Sequence, residues 1–491
     1  MRKLSCLLLL VAVACSGLQG VDMALVPPGS VTDKTDVDIR TGIVNRGSAT
    51  AVYDVSLTLR DSRGCKELSR FKAEVAPGES LLIRDTLFTQ GLSGKYDVLA
   101  KVRKGLKTTT LSRPIEVIPS SCRSPQTIDG AWVGLYHWSE QEGLHWNKDI
   151  RQLTADDWKG VVRAMHHIGM DVVVIQELLR NEERDVTVES YPGRAYYPSD
   201  IYSARMDIAC PDPVEAILEE ADRLGMYVLP GIGLFSWFDF SDESLEWHKL
   251  ITSEVLRKYG HHPSFYGFYV SEESPGSLDN WAQDEAARSR NISQIVSFFR
   301  EYTAYCRTLA PAKPVMLATN CFGISGRDDA YAALLPHLDI LCPFGFSRLP
   351  QSDLSAPEAI SLLQRWCDSS SCHLWLDLEA FTFNPDGSLS PRPFNAPDAS
   401  AAVAAGSDAA GTPNPATTDS SCAAGSDAAA PSASQSTPSI RDELNTLTTF
   451  EKVLCYQYPG VFSNPSFHPQ VGEESSIKLY TDYAAYLQTL D

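Results

Sequence analysis

The chain has 491 residues, 42 of them basic and 62 acidic, for a formal net charge of −20. It is longer than one ordinary domain, although a barrel alone takes about 250 residues. Nothing in it resembles the basic footprint that nucleic-acid binding requires, so no nucleic-acid partner is expected.

Arg2 and Lys3 precede an apolar run at residues 4–14. That run is too short to span a bilayer as a mature helix, and charge followed by a short apolar core reads as an export signal over residues 1–14. The Val-Ala-Val-Ala stretch ending at Ala14 meets Cys15 and resembles a bacterial lipobox, with Ala12 where leucine is usual. The resemblance implies that Cys15 is lipidated, that residues 15–22 are a tether, and that the protein sits on the outer membrane or cell surface of a bacterium. A cleaved signal and a secreted product is the alternative. No later stretch has about 18 consecutive apolar residues, so membrane contact is expected through the lipid alone. Among 12 cysteines there is no Cys-x-x-Cys pair. Cys342 and Cys455 lie in apolar runs, where cysteine acts as a small hydrophobe. Cys65 with Cys122, or Cys367 with Cys372, are open pairings for an oxidising compartment.

Residues 23–118 read as all-β. Tyr53, Val55, Leu57 and Leu59 alternate with polar residues, as do Tyr96, Val98, Ala100 and Val102, and turn signals such as Pro77-Gly78 and Ser93-Gly94 separate the runs. Short alternating strands at this spacing predict a β-sandwich. The Gly-Ile-Val-Asn-Arg-Gly-Ser segment with the later Val-Ala-Pro-Gly-Glu at 75–79 resembles immunoglobulin-like spacer domains of cell-surface proteins, which implies a positioning role without chemistry.

After a polar linker, the pattern from 128 onward becomes strands alternating with amphipathic helices. Strands are expected at 131–137, 171–176, 226–231, 265–271, 314–319, 338–343, 373–379 and 453–458. Helices are expected from Thr154 and at 213–224, 245–259, 293–309, 356–367, 440–450 and 477–490. Eight such units predict an α/β fold, a (β/α)8 TIM barrel over 128–491. Residues 396–439 are almost wholly Ala, Ser, Gly, Asp, Pro and Thr, repeat Ala-Ala-Gly-Ser-Asp-Ala-Ala, and read as a disordered insertion after strand seven.

Alternation then selects acids. In strand seven Leu374, Leu376 and Leu378 share one face, and Trp375, Asp377 and Glu379 the other, which points into the barrel. In strand four Tyr269, Ser271 and Glu273 share a face while Glu272 falls on the opposite one. Acids buried at a barrel mouth are costly unless they are paired or used. Hydrolysis of a glycosidic bond needs two carboxyls, one to protonate the leaving oxygen and one to attack the anomeric carbon or activate water. Glu273 is the expected acid/base, with its pKa raised, and Glu379 the expected nucleophile of a retaining reaction on an oligo- or polysaccharide. Other strand ends carry His137, Trp138, Gln176, Glu177, Trp237, Asn320, Phe344, Tyr456 and Gln457. Together with Tyr269, Glu272 and Asp377 these are the expected substrate contacts, aromatic faces for sugar C–H surfaces and amides or carboxylates for hydroxyls. The alternative is a barrel that binds glycan without cleaving it.

The two acids at the ends of strands four and seven resemble the acid/base and nucleophile of clan A glycoside hydrolases, although Glu272 stands where that clan has asparagine. Gly267-Phe-Tyr-Val-Ser-Glu-Glu273, Trp375-x-x-x-Glu379 and Leu479-Tyr-x-x-Tyr483 resemble more closely a glycosidase-like TIM-barrel family of bacterial envelope lipoproteins, carried as a domain of unknown function. That likeness implies the barrel and leaves the substrate unassigned. His166-His167 and His261-His262 lack ligand spacing, and no Gly-x-Ser-x-Gly or phosphate-binding glycine loop occurs. No metal and no cofactor is therefore expected.

Overall fold

The computed structural model describes residues 18–136, 149–181, 193–233, 239–384, 389–396 and 438–490. The export signal, Cys15 and nearly all of the low-complexity insertion lie outside them.

The alternating N-terminal segment forms two sheets. Val21–Val26, Val37–Val44 and Ser80–Leu87 make an antiparallel three-stranded sheet. A five-stranded sheet runs Gly29–Thr32, Lys107–Ile118, Gly94–Lys104, Ala51–Asp61 and Gly64–Val75 across its width. Because side chains alternate across a strand, Leu25, Ile39 and Ile43 of the first sheet meet Tyr53, Val55, Leu57, Val98, Ala100 and Val102 of the second in one core.

The second part is a ring of parallel strands. In spatial order they are Gly130–Val133, Val172–Ile175, Tyr227–Ile232, Phe268–Ser274, Val315–Asn320, Ile340–Phe344, His373–Leu374 continuing as Leu376–Glu379, and Val453–Tyr456. These are barrel strands one to eight in chain order. Strand seven is interrupted at Trp375. Its first piece pairs with strand six and its second with strand eight, and strand eight pairs with strand one, so the sheet returns on itself. Helices Ala155–His167, Pro213–Leu224, Asp242–Tyr259, Glu285–Leu309, Asp328–Leu334, Ala356–Ser370, Ile440–Thr446 and Glu474–Leu487 accompany the strands. Inward positions are filled by Trp132, Val172, Val174, Leu229, Tyr269, Met316, Ala318, Ile340, Cys342, Trp375 and Leu454. Their neighbours Val133, Val173, Val228, Val270, Leu317, Leu341, Leu376 and Cys455 pack outward against the helices. The interior is therefore a filled core, open to chemistry only at its ends.

Helix Glu285–Leu309 begins earlier than its apolar periodicity suggests. Asp284 caps it through the Ala287 N–H at 2.7 Å, and the first turns carry no apolar residue larger than Ala286 and Ala287, so the hydrophobic stripe starts only at Ile292. The nine cysteines among the described residues are unbridged, so neither open pairing is formed.

The N-terminal ends of the barrel strands are closed by the β domain. Its first strand divides its side chains between two cores: Met23 and Leu25 face their own sandwich, while Ala24 and Val26 join the barrel interior beside Tyr266 and Ala312. Tyr266 Oη donates to the Leu25 carbonyl at 2.7 Å. Contact is close enough that a Cβ on Gly42 would stand 2.7 Å from the Ala312 nitrogen. At the centre of this joint Arg40, fully buried, donates to Asp339 Oδ1 at 2.5 Å, and Arg307 also binds that carboxylate. Burial pushes the Asp339 carboxyl up, but the Arg307 and Arg40 guanidiniums outweigh it and hold it below the usual carboxylate range. Its stabilising share is thus present at neutral pH and lost as pH falls through that lowered pKa. Arg40→Ala is expected to cost about 3 kcal/mol, because it leaves buried charge short of a partner. Urea denaturation at pH 7 measures it; an unchanged midpoint would show the joint to be indifferent to this pair.

Candidate active site

The open end of the barrel gathers carboxyls from strands four and seven. Strand four is irregular where its acids stand: the four steps from Val270 to Ser274 face only two on strand five, from Leu317 to Thr319. Such a bulge bends a strand and re-aims the side chains it carries. Glu273 is left partly exposed, while Glu272 is buried at 1% exposure and lies 3.7 Å from His248 Nε2, on the helix Asp242–Tyr259. The two neighbouring glutamates thus face opposite sides of the barrel wall.

Strand seven supplies Asp377 and Glu379 on the same inward face as Trp375. Glu379, 6% exposed, is clamped by Arg348: Nε lies 2.9 and 3.1 Å from its two oxygens, and Nη2 is 2.5 Å from Oε1. Ser347 Oγ donates to Oε2 at 3.3 Å. The chain reaches this position through Gly345, whose φ of 87° is a left-handed conformation that favours glycine, followed by the short turn Phe346–Arg348. The Arg348 guanidinium also lies over the rings of Phe322 and Phe383, at 5.5 and 5.2 Å. A bidentate pair between two rings fixes both its members.

The electrostatics separate the three acids. Burial drives the Glu273 pKa up; Arg348 pulls it back and the Glu379 carboxylate pushes it up again, leaving it at about 7. Asp377 is pushed well above the carboxylate range, by burial first and then by Glu379 and Glu273. Its Oδ1 is buried without a hydrogen-bond partner. The mouth therefore holds an arginine-paired glutamate, a glutamate held at about 7 and an aspartate whose pKa burial and the two glutamates push up.

The expected contacts are distributed around these acids. A Cβ on Gly134 would stand 2.8 Å from Gln457 Oε1 and 3.2 Å from Gln176 Oε1, so these two amides converge over strand one only because that residue is glycine. The Tyr456–Gln457 peptide is cis. Tyr456 is partly exposed and meets Phe381 edge to face at 5.7 Å, and Phe344 is partly exposed at the end of strand six. Asn320 Oδ1 accepts from the Gly276 and Phe322 N–H groups at 2.9 and 3.0 Å, which anchors the loops after strands four and five. Tyr269 lies under the acids in the barrel core, edge to face with Trp132 at 5.8 Å. Glu177 is buried and accepts from Tyr196 Oη at 3.2 Å, and burial raises its pKa. Tyr269, Glu177 and Glu272 are therefore not grouped with the mouth acids as surface contacts. His137, Trp138 and Trp237 lie outside the described residues.

Sequence reasoning missed Arg348, Ser347, Phe322, Phe381 and Phe383. Phe381 and Phe383 continue the odd-numbered face of Asp377 and Glu379, a signal that parity contained. Arg348 had a weaker one: a glutamate buried at a strand end needs a partner, and an arginine follows strand six by a few residues.

A family model described as "Domain of unknown function (DUF4434)" matches residues 128–407. Beta-glucuronidase of dog, Canis lupus familiaris, is 26% identical over 133 residues, which cover 26% of this chain and 17% of that protein. The pig enzyme is 25% identical over the same shares. The match thus spans about one sixth of these curated relatives. Among solved structures, a Parabacteroides merdae beta-glucuronidase aligns at 12% identity over 95% of this chain and 53% of its own, with a TM-score of 0.36. Bacteroides uniformis beta-glucuronidase 2, solved covalently bound to a cyclophellitol-6-carboxylate aziridine, aligns at 12% identity over 74% and 40%, with a TM-score of 0.34. Likeness at that level carries no argument about chemistry. The family model, by contrast, covers more than half of the chain, including both mouth glutamates, and the protein belongs to the DUF4434 family.

Proposed function

We propose that this protein is a glycoside hydrolase acting at the open end of the barrel, with Glu273 as general acid/base and Glu379 as nucleophile. The observation that carries the reading is the division of labour between the two glutamates. A proton donor for a leaving alkoxide needs a pKa near the working pH, and Glu273 is held at about 7. A nucleophile needs a carboxylate with its charge retained, and Arg348 holds Glu379 by two of its nitrogens.

Glu379 attacks the anomeric carbon as the glycosidic C–O bond breaks, and the Glu273 proton goes to the departing oxygen. Glu273, now ionised, takes a proton from water as that water's oxygen attacks the glycosyl–Glu379 ester. The sugar is released, and Glu273 again carries its proton. Phe344, Tyr456, Phe381 and Phe383 supply apolar faces for sugar rings, and Gln176 and Gln457 supply amides for hydroxyls. The 133-residue stretch similar to mammalian beta-glucuronidases at 25–26% identity supports a glycan substrate without naming the sugar. We further propose that the two-sheet domain is an immunoglobulin-like spacer, and that Cys15 carries a lipid holding the protein on the bacterial envelope. Mass spectrometry of the mature N-terminus tests the lipid.

A panel of 4-nitrophenyl glycosides and oligosaccharides, read by nitrophenol release and by the anomer first formed in NMR, tests the reaction. Release with net retention is expected, and inversion would reassign Glu379 from nucleophile to base. Glycan binding without turnover, unchanged in Glu273→Gln, would replace hydrolysis by binding alone.

A further inference from the structure

A second cluster of functional side chains lies away from the mouth, beside the loop that enters strand four. His261 and His262 follow the helix Asp242–Tyr259, and Glu215 stands in the first turn of Pro213–Leu224. One ligand atom from each of the three lies within 4.8 Å of the others. His262 is only 6% exposed. Its Nδ1 is 2.7 Å from Asp222 Oδ2, and that carboxylate is itself oriented by the Ser264 N–H at 2.7 Å.

In a neutral imidazole, a ring nitrogen that donates to a carboxylate leaves the other nitrogen as a lone pair, which is how carboxylates prepare histidines for metals. The remaining nitrogen, Nε2, is buried without a hydrogen-bond partner. It faces Glu215 Oε2 at 3.3 Å. A lone pair aimed at a carboxylate oxygen is repulsive unless positive charge lies between or beside them. Two ligand atoms on one tetrahedral zinc, each about 2.0–2.1 Å from the ion, stand roughly 3.3 Å apart. His261 is exposed, its ring centroid 4.2 Å from that of His262, which leaves a path to solvent on that side.

We propose that Glu215, His261 and His262 form a binding site for a divalent transition-metal ion of zinc type, with Asp222 as the residue that positions His262. Two imidazoles and one carboxylate suit Zn²⁺ and leave its fourth position to solvent. The ion ties the helix Pro213–Leu224 to the loop leading into strand four, at the end of the barrel opposite the acids. Neither histidine pair has ligand spacing by itself; the third ligand arrives only through the fold.

The test uses the full chain after dialysis against EDTA, titrated with ZnCl₂ by calorimetry and followed by thermal melting, with CoCl₂ as a spectroscopic probe. One equivalent of Zn²⁺, a raised Tm and a tetrahedral cobalt spectrum are expected. His261→Ala and Glu215→Gln should lose all three. Both change accessible positions, so the fold should survive, and unchanged far-UV circular dichroism checks it. Asp222→Asn should bind about 10- to 100-fold more weakly. Absence of binding in the wild type, or one equivalent retained in both ligand variants, would overturn the site. The first of these would leave His262 as a structural link between Asp222 and Glu215.

Discussion

Replacing Glu273 by glutamine is expected to lower kcat by about 10²- to 10⁴-fold on substrates with poor leaving groups, the range that a positioned proton donor contributes. On an aryl glycoside whose leaving group needs no proton, the first step should largely survive. In the wild type the acid must carry its proton, so activity should fall as pH rises through about 7. In the variant that basic limb should disappear. The same shift predicts a stability change of opposite sense. Glu273 binds its proton more tightly folded than at its ordinary value of 4.5, so ionising it costs the native state stability as pH climbs from there to about 7. The glutamine variant should therefore match the wild type near pH 4 and exceed it at pH 8, by on the order of 1–3 kcal/mol once partial exposure is allowed for. Urea midpoints at the two pH values, beside a pH–rate profile, read both effects. An active variant with an unchanged basic limb would remove Glu273 from the mechanism.

Arg348→Leu is expected to damage both folding and turnover, because it strips Glu379 of its bidentate partner and leaves a buried carboxylate alone. Removing one member of a buried pair costs about 3–5 kcal/mol. The two rings that flank the guanidinium lose their cation as well, at about 0.5–2 kcal/mol each. Turnover at pH 7 should drop at least about 100-fold, since Glu379 loses the clamp that aims it at the reacting carbon. Arg348→Lys keeps a charge but not the planar fork, and should recover stability better than activity. Equal losses in the leucine and lysine variants would mean that fork geometry, rather than charge, is what Glu379 requires. No loss in either would separate Arg348 from the site.

Period-two alternation reported which side chains face inward wherever a strand is regular. Trp375, Asp377 and Glu379 share the inner face, and the intervening leucines pack against helices, because the pleat allows nothing else once a strand is buried on both sides. The same rule separated Glu273 from Glu272 despite the bulge, since two extra residues preserve parity where one would have inverted it. The β domain and the barrel were equally readable, because each repeats a short local pattern many times.

What alternation does not carry is contact between segments distant in sequence. Glu379 meets Arg348 only because strands six and seven are neighbours and Gly345 turns the chain back toward the mouth. Ala24 and Val26 look like ordinary sandwich residues until the barrel is set beneath them, and Arg40 shows its partner only when Asp339 is brought across the joint. Asn320 and Glu177 have the composition of sugar ligands, yet backbone N–H groups reach Asn320 Oδ1 and Tyr196 reaches Glu177 Oε1. By itself the sequence determined the alternating β segment, the ring of strands and the acids that point into it, because those follow from local periodicity. Only the tertiary structure decided the surroundings of each acid, because a pKa and a hydrogen bond depend on what lies within a few ångströms, whatever its place in the chain.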